Sequence, residues 1–388
     1  MLVKLLHFSA GLIAYVAADG CRKSMFSDHS NHEVVISPLP HTYTEEHHLP
    51  ASFDWRHHNG VNYVTKVLNQ HAPKYCGSCW LHAGVGVIND RLKVARKAQF
   101  PEVNVARQVV LNCGRDIAGS CHGGEDFGVY KFAYLEGLPD DQCQFYRGED
   151  GECSAINNCI NCDPPAGTGP CYPVQRYGRY FVTEFAKIPN PTAHKIKAEV
   201  YRRGPISCAV DSSVVENGKY HPGDIVRETR NGNWSLDHDI VIVGWGQDED
   251  GKEYYIVKNS WGTFWGDQGY FLVQSGVNAM GIEQDCSWAV IDPEPRVADY
   301  GPPDWMRMFP SAFKPVEHIV VADAAEHIAV ADAAEHIAVA DASSYRLPLC
   351  FQVPDVFAPC QPHAFFRINT RIAKLARTRH AQNYRQYV

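Results

Sequence analysis

The stretch Gln70-His71-Ala72-Pro73-Lys74-Tyr75-Cys76-Gly77-Ser78-Cys79-Trp80-Leu81-His82-Ala83 decides how this chain is read. It is turn-rich up to Cys79, and from Trp80 to about Lys97 the apolar positions 85, 88, 92 and 95 recur with helical spacing. Cys79 therefore falls at a helix N-terminus. Unpaired backbone N–H groups and the helix dipole stabilise an anion there, which lowers a thiol pKa and prepares a thiolate for covalent attack. Two plainer readings compete: Cys76-x-x-Cys79 as a redox dithiol, or both residues as structural cysteines. No thioredoxin-like pattern surrounds the pair.

Two later segments bear on the choice. In Leu236-Asp237-His238-Asp239-Ile240-Val241-Ile242-Val243-Gly244-Trp245-Gly246 a histidine precedes a dense β-branched run, which predicts a buried strand. Tyr254-Tyr255-Ile256-Val257-Lys258-Asn259-Ser260-Trp261-Gly262 predicts a second strand ending in Asn259, reached through a hairpin turn at Asp248–Gly251. A histidine at a strand start is more often structural. Paired with a cysteine it needs an orienting group. The Asn259 carbonyl would accept from one ring N–H, leaving the other nitrogen to exchange a proton with sulfur, and the Trp261 indole would shield that bond from water.

The rest of the chain sets the frame. It has 388 residues, 45% hydrophobic and 21% charged, with 14 cysteines and a formal net charge of −8. That excludes a wholly disordered chain, a collagen-like fibre and a disulfide miniprotein, and gives no reason to expect nucleic acid as partner. Residues 1–18 read as a signal peptide: Lys4, an apolar run from Leu5 to Ala17 interrupted by His7, then small residues. No later segment is apolar enough to cross a membrane. The secretory pathway is expected, ending in a lysosome or outside the cell, where most cysteines pair. Residues 19–48 are polar, His-rich and carry Cys21; residues 49–294 hold eleven cysteines; residues 295–388 form a low-complexity extension. Three nine-residue units start there at Val316, Ala325 and Ala334, and the last two are identical. Successive isoleucines would fall on opposite faces of a helix, so no folded module is expected.

Together the motifs resemble the papain family of cysteine peptidases. The matching pieces are Gln70, Cys76-Gly-Ser-Cys79-Trp80, Cys121-His-Gly-Gly124, His238 before Gly244-Trp245-Gly246, and Asn259-Ser-Trp261-Gly, in the family's order over about Leu49–Pro293. The resemblance implies an α+β fold of two lobes, a helical left lobe and an antiparallel β-barrel-like right lobe with the active site between them. It implies Cys79 as nucleophile, His238 as general acid/base and Asn259 as its orienting partner. Gln70 with the Cys79 backbone N–H would form the oxyanion hole. Gly123 and Gly124 would present backbone to substrate, and Trp261 would form part of the primed side.

Within this family the cathepsin X branch inserts His-Ile-Pro between the oxyanion-hole glutamine and the cysteine motif, and has a short propeptide with a cysteine. Here the insertion reads His71-Ala72-Pro73, with Ala72 trimming the apolar packing of the loop. The resemblance implies a carboxypeptidase that removes single C-terminal residues, with protonated His71 meeting the substrate carboxylate. The family pattern implies the bridges Cys76–Cys121, Cys113–Cys153, Cys143–Cys159, Cys162–Cys171 and Cys208–Cys286. Cys350 and Cys360 lie outside and would pair with each other, leaving Cys21 to cap Cys79 in a zymogen. No metal or other cofactor is expected, since Cys159-x-x-Cys162 with Cys171 lacks a fourth zinc ligand.

Asn233-Trp234-Ser235 is an acceptor sequence for an N-glycan. The expected partners are peptide or protein substrates with a free C-terminus, acted on by a monomer. Competing activities are an endopeptidase or a carboxydipeptidase sharing the acyl-enzyme chemistry. A different class of function is adhesion through the tail: residues 361–388 hold six Lys/Arg and no acid, and Ile368, Ile372 and Leu375 would form a short basic amphipathic helix for an anionic surface. A solvated charged terminus is the plainer reading.

Overall fold

In α1 (Cys79–Ala95) every residue from Cys79 to Leu92 is buried. A helix enclosed on all sides belongs in the middle of a domain rather than on its surface. It packs against α3 (Asp126–Leu135) on one side and against a large sheet on the other. Gly84 permits the first contact, because a Cβ there would lie 2.8 Å from the Val129 side chain of α3. The short α2 (Arg107–Cys113) completes the helical left lobe. This computed structural model describes residues 20–164 and 169–299. The signal peptide, the nine-residue units, Cys350, Cys360 and the basic C-terminal stretch lie outside them.

The right lobe is an eight-stranded sheet. Its strands are β1 (Phe53–Asp54), β2 (Val182–Lys187), β3 (Ile206–Val210), β4 (Ile225–Val226), β5 (His238–Gln247), β6 (Glu253–Lys258), β7 (Tyr270–Gln274) and β8 (Cys286–Ile291). They run in the order β4-β7-β6-β5-β3-β8-β2, with β1 added to β5. All pairs are antiparallel except β4 with β7. β5 is buried from His238 to Gly246, because α1 covers one face and α4 (Ala193–Arg203) also packs on the strand. Cover on both faces explains why its sequence is a continuous apolar run rather than an alternation. The hairpin from β5 to β6 turns at Asp248, whose backbone N–H donates to the Lys252 carbonyl. The fold class is therefore the expected α+β arrangement.

The five bridges inferred from the family pattern are all present. Cys76–Cys121 ties the start of α1 to the loop before Gly123, and the next three have at least one end within residues 140–175, a stretch poor in regular structure. Cross-links there restrict the unfolded chain where little core is available, an effect of about 2–4 kcal/mol per bridge. The fifth joins Cys208 and Cys286, register partners on β3 and β8. A further strand, Arg296–Asp299, pairs with Arg176–Tyr180, so the ordered fold continues past residue 294.

Residues 20–48 run along this surface without a long helix. Val34 exchanges two backbone hydrogen bonds with Phe185, covering the edge strand β2. The Ile36 and Ser37 N–H groups both donate to Glu184, and the Thr44 carbonyl meets His194 of α4 at 2.7 Å.

Candidate active site

Cys79 opens α1 and His238 opens β5, so the packing of that helix on that strand brings the two together. Asn259 follows β6, the hairpin partner of β5, and its backbone N–H donates to the Gly269 carbonyl. His238 Nε2 donates to Asn259 Oδ1 at 2.8 Å. That carbonyl also accepts from the Ser260 N–H at 2.8 Å, which holds the amide in the accepting orientation. The Trp261 ring lies 4.8 Å from the imidazole, tilted by 38°. All three predicted members, Cys79, His238 and Asn259, are buried side by side.

Ser78 occupies the N-cap position of α1 but makes no side-chain cap. Its hydroxyl instead meets the Tyr146 hydroxyl at 2.8 Å. First-turn N–H groups are thereby left free of a side-chain acceptor and available to an anion at Cys79. Tyr146 donates to the Gln70 carbonyl at 2.7 Å and stacks edge-on against His82. Gln70 is buried; its Oε1 accepts from the Ser260 hydroxyl at 2.7 Å, which turns Nε2 towards the Cys76 carbonyl at 3.4 Å. Ser260 thus orients both Gln70 and Asn259. Neither Ser260 nor Tyr146 was singled out in the sequence, although Ser260 lies inside a quoted motif.

Cys21 is disulfide-bonded to Cys79, and its sulfur lies 3.4 Å from His238 Nδ1. The segment around it spans the cleft as a strand bonded to both walls. Arg22 N–H donates to the Asp237 carbonyl at 3.0 Å, Lys23 N–H to the Gly124 carbonyl at 2.7 Å, and Gly124 N–H to the Cys21 carbonyl at 3.2 Å. Gly124 itself is required by the packing beneath it: a Cβ there would meet the Ala118 carbonyl at 2.2 Å and Trp80 at 2.7 Å. A Cβ on Gly123 would meet the Lys23 side chain at 2.8 Å. The donor atoms of Cys21, Cys79 and His238 lie within 4.8 Å of one another, but the two sulfurs are bonded together and offer no thiolates to a metal.

Arg22 anchors the segment through charges that no sequence motif signalled. Its guanidinium pairs with Asp285 and lies 3.1 Å from Asp239. Lys187 joins the cluster, 2.6 Å from Asp285 and 2.9 Å from Glu125, and His29 reaches the same buried Glu125 at 2.5 Å. Burial would raise the Asp285 carboxyl, yet Lys187 and Arg22 hold it below its ordinary value.

His71 stands on the loop after Gln70, exposed on one side and stacked on Tyr75 with ring centroids 4.9 Å apart. The loop base is fixed by Asn69, whose side chain accepts from the His71 N–H at 3.0 Å. Partial burial pulls the His71 imidazole below its ordinary value. Burial also pulls His238 down to about 4, against the opposing effect of Asn259. Asn233 is exposed at the end of a short turn.

A cysteine at an enclosed helix start, facing an imidazole held by an asparagine, is the arrangement of a thiol peptidase. The profile of the papain family cysteine protease matches residues 49–290, and the chain belongs to that family. It is similar to cathepsin Z of Onchocerca volvulus, 38% identical over 262 residues that cover 64% of this chain and 82% of the relative. It is 30% identical to cathepsin L of Sarcophaga peregrina, over 64% of this chain and 67% of the relative. Among solved structures it is similar to the digestive procathepsin L2 proteinase from Tenebrio molitor larval midgut, with a TM-score of 0.55, 26% identity, and coverage of 70% of this chain and 78% of that one. The family and the cathepsin X-like character of the chain are thereby established; cathepsin Z is another name for cathepsin X.

Two outcomes follow from this geometry. Ser260→Ala frees Gln70 from its orienting bond, and turnover of a peptide by the processed, reduced enzyme falls on the order of 10-fold with KM little changed. The second concerns His238, whose folded pKa is depressed from 6.5 to about 4. Between those values an unfolded chain holds the extra proton, so this group's contribution to stability falls as pH drops through that window. NMR of labelled imidazole shows His238 titrating near pH 4 in the disulfide form, and at higher pH once Cys79 is a free thiolate that favours imidazolium. An unchanged midpoint after reduction counts against the ion pair.

Proposed function

We propose that the chain is the zymogen of a lysosomal or secreted cysteine carboxypeptidase that removes single C-terminal residues. Residues 1–18 are its signal peptide, 19–48 its propeptide, 49 through the strand Arg296–Asp299 its catalytic domain, a few residues beyond the boundary at 294 expected from the sequence, and the rest of 295–388 an extension of separate role. The observation that carries the carboxypeptidase reading is His71, a donor beside the oxyanion-hole glutamine on a loop tied down by Asn69 and Tyr146. A cation at the primed end favours a substrate that terminates there in a carboxylate. The glycan at Asn233 and a monomeric state belong to the same reading.

In this mechanism the Cys79 thiolate attacks the carbonyl carbon of the last peptide bond. Gln70 Nε2 and the Cys79 N–H stabilise the oxyanion. Protonated His238 Nδ1 donates to the departing amine, and the C–N bond breaks to leave a thioester and a free C-terminal residue. Neutral His238 then takes a proton from water, whose oxygen attacks the thioester and releases the shortened peptide and the thiolate. Gly123 and Gly124 bind the substrate backbone where the propeptide strand now lies, and Trp261 shapes the primed side.

Cys21 caps the nucleophile until a thiol reductant supplies the two electrons that split the disulfide; cleavage near the exposed turn Glu46–His48 then frees the segment. Peptide mapping by mass finds Cys21 and Cys79 joined in the proenzyme, and an iodoacetamide probe labels Cys79 only after reduction. Two free thiols before reduction would reject the cap.

The activity is tested with matched free-acid and amidated peptides. The free acid loses one residue at a time and the amide resists. The preference falls as pH rises through the His71 pKa, which burial places below the ordinary 6.5, because neutral His71 no longer pairs with a carboxylate. Equal cleavage of both peptides, or loss of residues in pairs, favours the endopeptidase or carboxydipeptidase alternative.

A further inference from the structure

The Arg22 side chain fills a recess in the cleft wall, beside Gly124 and one residue from the Cys21–Cys79 bridge. β5 supplies Asp239, the residue after His238, and the turn before β8 supplies Asp285. Glu125 and Asp126 come from the start of α3, and Lys187 from the end of β2.

The charges of this recess do not balance without the segment that covers it. Among the described residues, the only ion pairs that reach its four carboxyl groups from beyond residue 48 come from Lys187, 2.6 Å from Asp285 and 2.9 Å from Glu125. The covering segment supplies the rest. Arg22 pairs with Asp285 and lies 3.1 Å from Asp239, His29 reaches Glu125, and the Met25 N–H donates to Glu125 at 2.8 Å. Asp126 is engaged by the Ser207 and Ser287 hydroxyls. Asp239 is 1% exposed, and neither of its carboxyl oxygens has a hydrogen-bond partner; Arg22 Nε is buried and unbonded too, so that pair is close but not aligned. Burial, with Asp126 beside it, pushes the Asp239 carboxyl well above its ordinary value. Asp285 is held low by Lys187 and Arg22 in spite of burial, so it carries the charge and Asp239 adds an acceptor.

Once residues 20–48 leave, Arg22, His29 and the Met25 N–H go together, and Lys187 alone faces four carboxyl groups. Acidic groups withdrawn from water call for a cation or for hydrogen-bond donors. A substrate lying along Gly123 and Gly124 enters the same strip of cleft and passes the open recess. The geometry also chooses among cations. Asp239 faces Nε and Asp285 faces Nη2 of one guanidinium, and a planar fork meets both where an ammonium, a point charge, meets one. With His71 and Trp261 assigned to the departing residue, the Gly124 side of the cleft carries the acyl part of the substrate.

We infer, resting on the peptidase reading above, that this recess is a specificity pocket for an arginine side chain on the acyl side of the bond broken, with Asp285 as its charged partner and Asp239 as a second acceptor. Arg22 is the stand-in that occupies it in the disulfide form. Lysine ranks second, a neutral side chain of the same length lower, and an acid is repelled.

The test reads the rate at which peptide chloromethyl ketones label Cys79. The probes are acetyl-X-Ala and acetyl-Ala-X chloromethyl ketones, with X arginine, lysine, citrulline or glutamate; citrulline has the shape of arginine without its charge. The full-length chain is used after reduction. Its attached segment competes with every probe alike, which lowers all rates by one factor and leaves their ratios. Arginine exceeds citrulline by at least about 10-fold at one of the two positions, and glutamate is slowest. Asp285→Asn brings the arginine-to-citrulline ratio to within about 3-fold of unity, and an unchanged ratio overturns the assignment. Should that variant fail to fold, the ratio in the unaltered chain decides. Equal rates for arginine and citrulline at both positions, with Cys79 labelled, overturn the pocket and leave the peptidase reading standing. If iodoacetamide labels Cys79 but no peptide probe does, before or after cleavage at the Glu46–His48 turn, the peptidase reading fails and the pocket with it.

Discussion

Everything at the centre of this molecule depends on α1 lying against β5. The helix presents an uncapped N-terminus, and the strand presents an imidazole at its first residue. Because both elements are buried along their length, neither slides without opening the core. A one-residue slip of β5 would turn His238 away from the cleft and exchange the side chains on its two buried faces. The same packing that makes the domain stable thus brings Cys79 and His238 together, and Asn259 sets the orientation of the imidazole.

The polar groups around that contact are arranged in depth. Ser260 links Gln70 to Asn259, and Tyr146 links Gln70 to Ser78 at the helix start. Gln70 and Asn259 therefore share a support, so disturbing either affects the other. In the disulfide form these groups are assembled while the sulfur is unavailable. Only the Cys79 sulfur is withheld, by its bond to Cys21.

Residues 20–48 withhold it without a long helix. Three backbone hydrogen bonds and one disulfide fix residues 21–23 across the cleft, and Arg22 sinks into a cluster of acidic groups that includes Asp239 and Asp285. A short segment needs such concentrated contacts, since it buries too little apolar surface to bind by area alone. Acid weakens the cluster at Asp285, whose carboxylate is held low by Lys187 and Arg22 and contributes only while ionised.

The order of motifs from Gln70 to Trp261 carried the α+β fold and singled out Cys79, His238 and Asn259, which the fold brings side by side, because local propensity and a known pattern agreed at each. The strand at β5 and the hairpin at Asp248 were legible for the same reason: a run of β-branched residues and a turn sequence act locally. Tertiary structure alone decided which distant groups meet. That Arg22 would enter a pocket of Glu125, Asp239 and Asp285 depends on residues up to 263 positions apart with no pattern between them. Ser260 was visible as a letter in a motif, but its hydroxyl acquired a task only when folding placed Gln70 beside it. Periodicity and spacing record what a residue does to its neighbours in the chain; charge pairing and buried hydrogen bonds record what the folded chain brings to it from elsewhere.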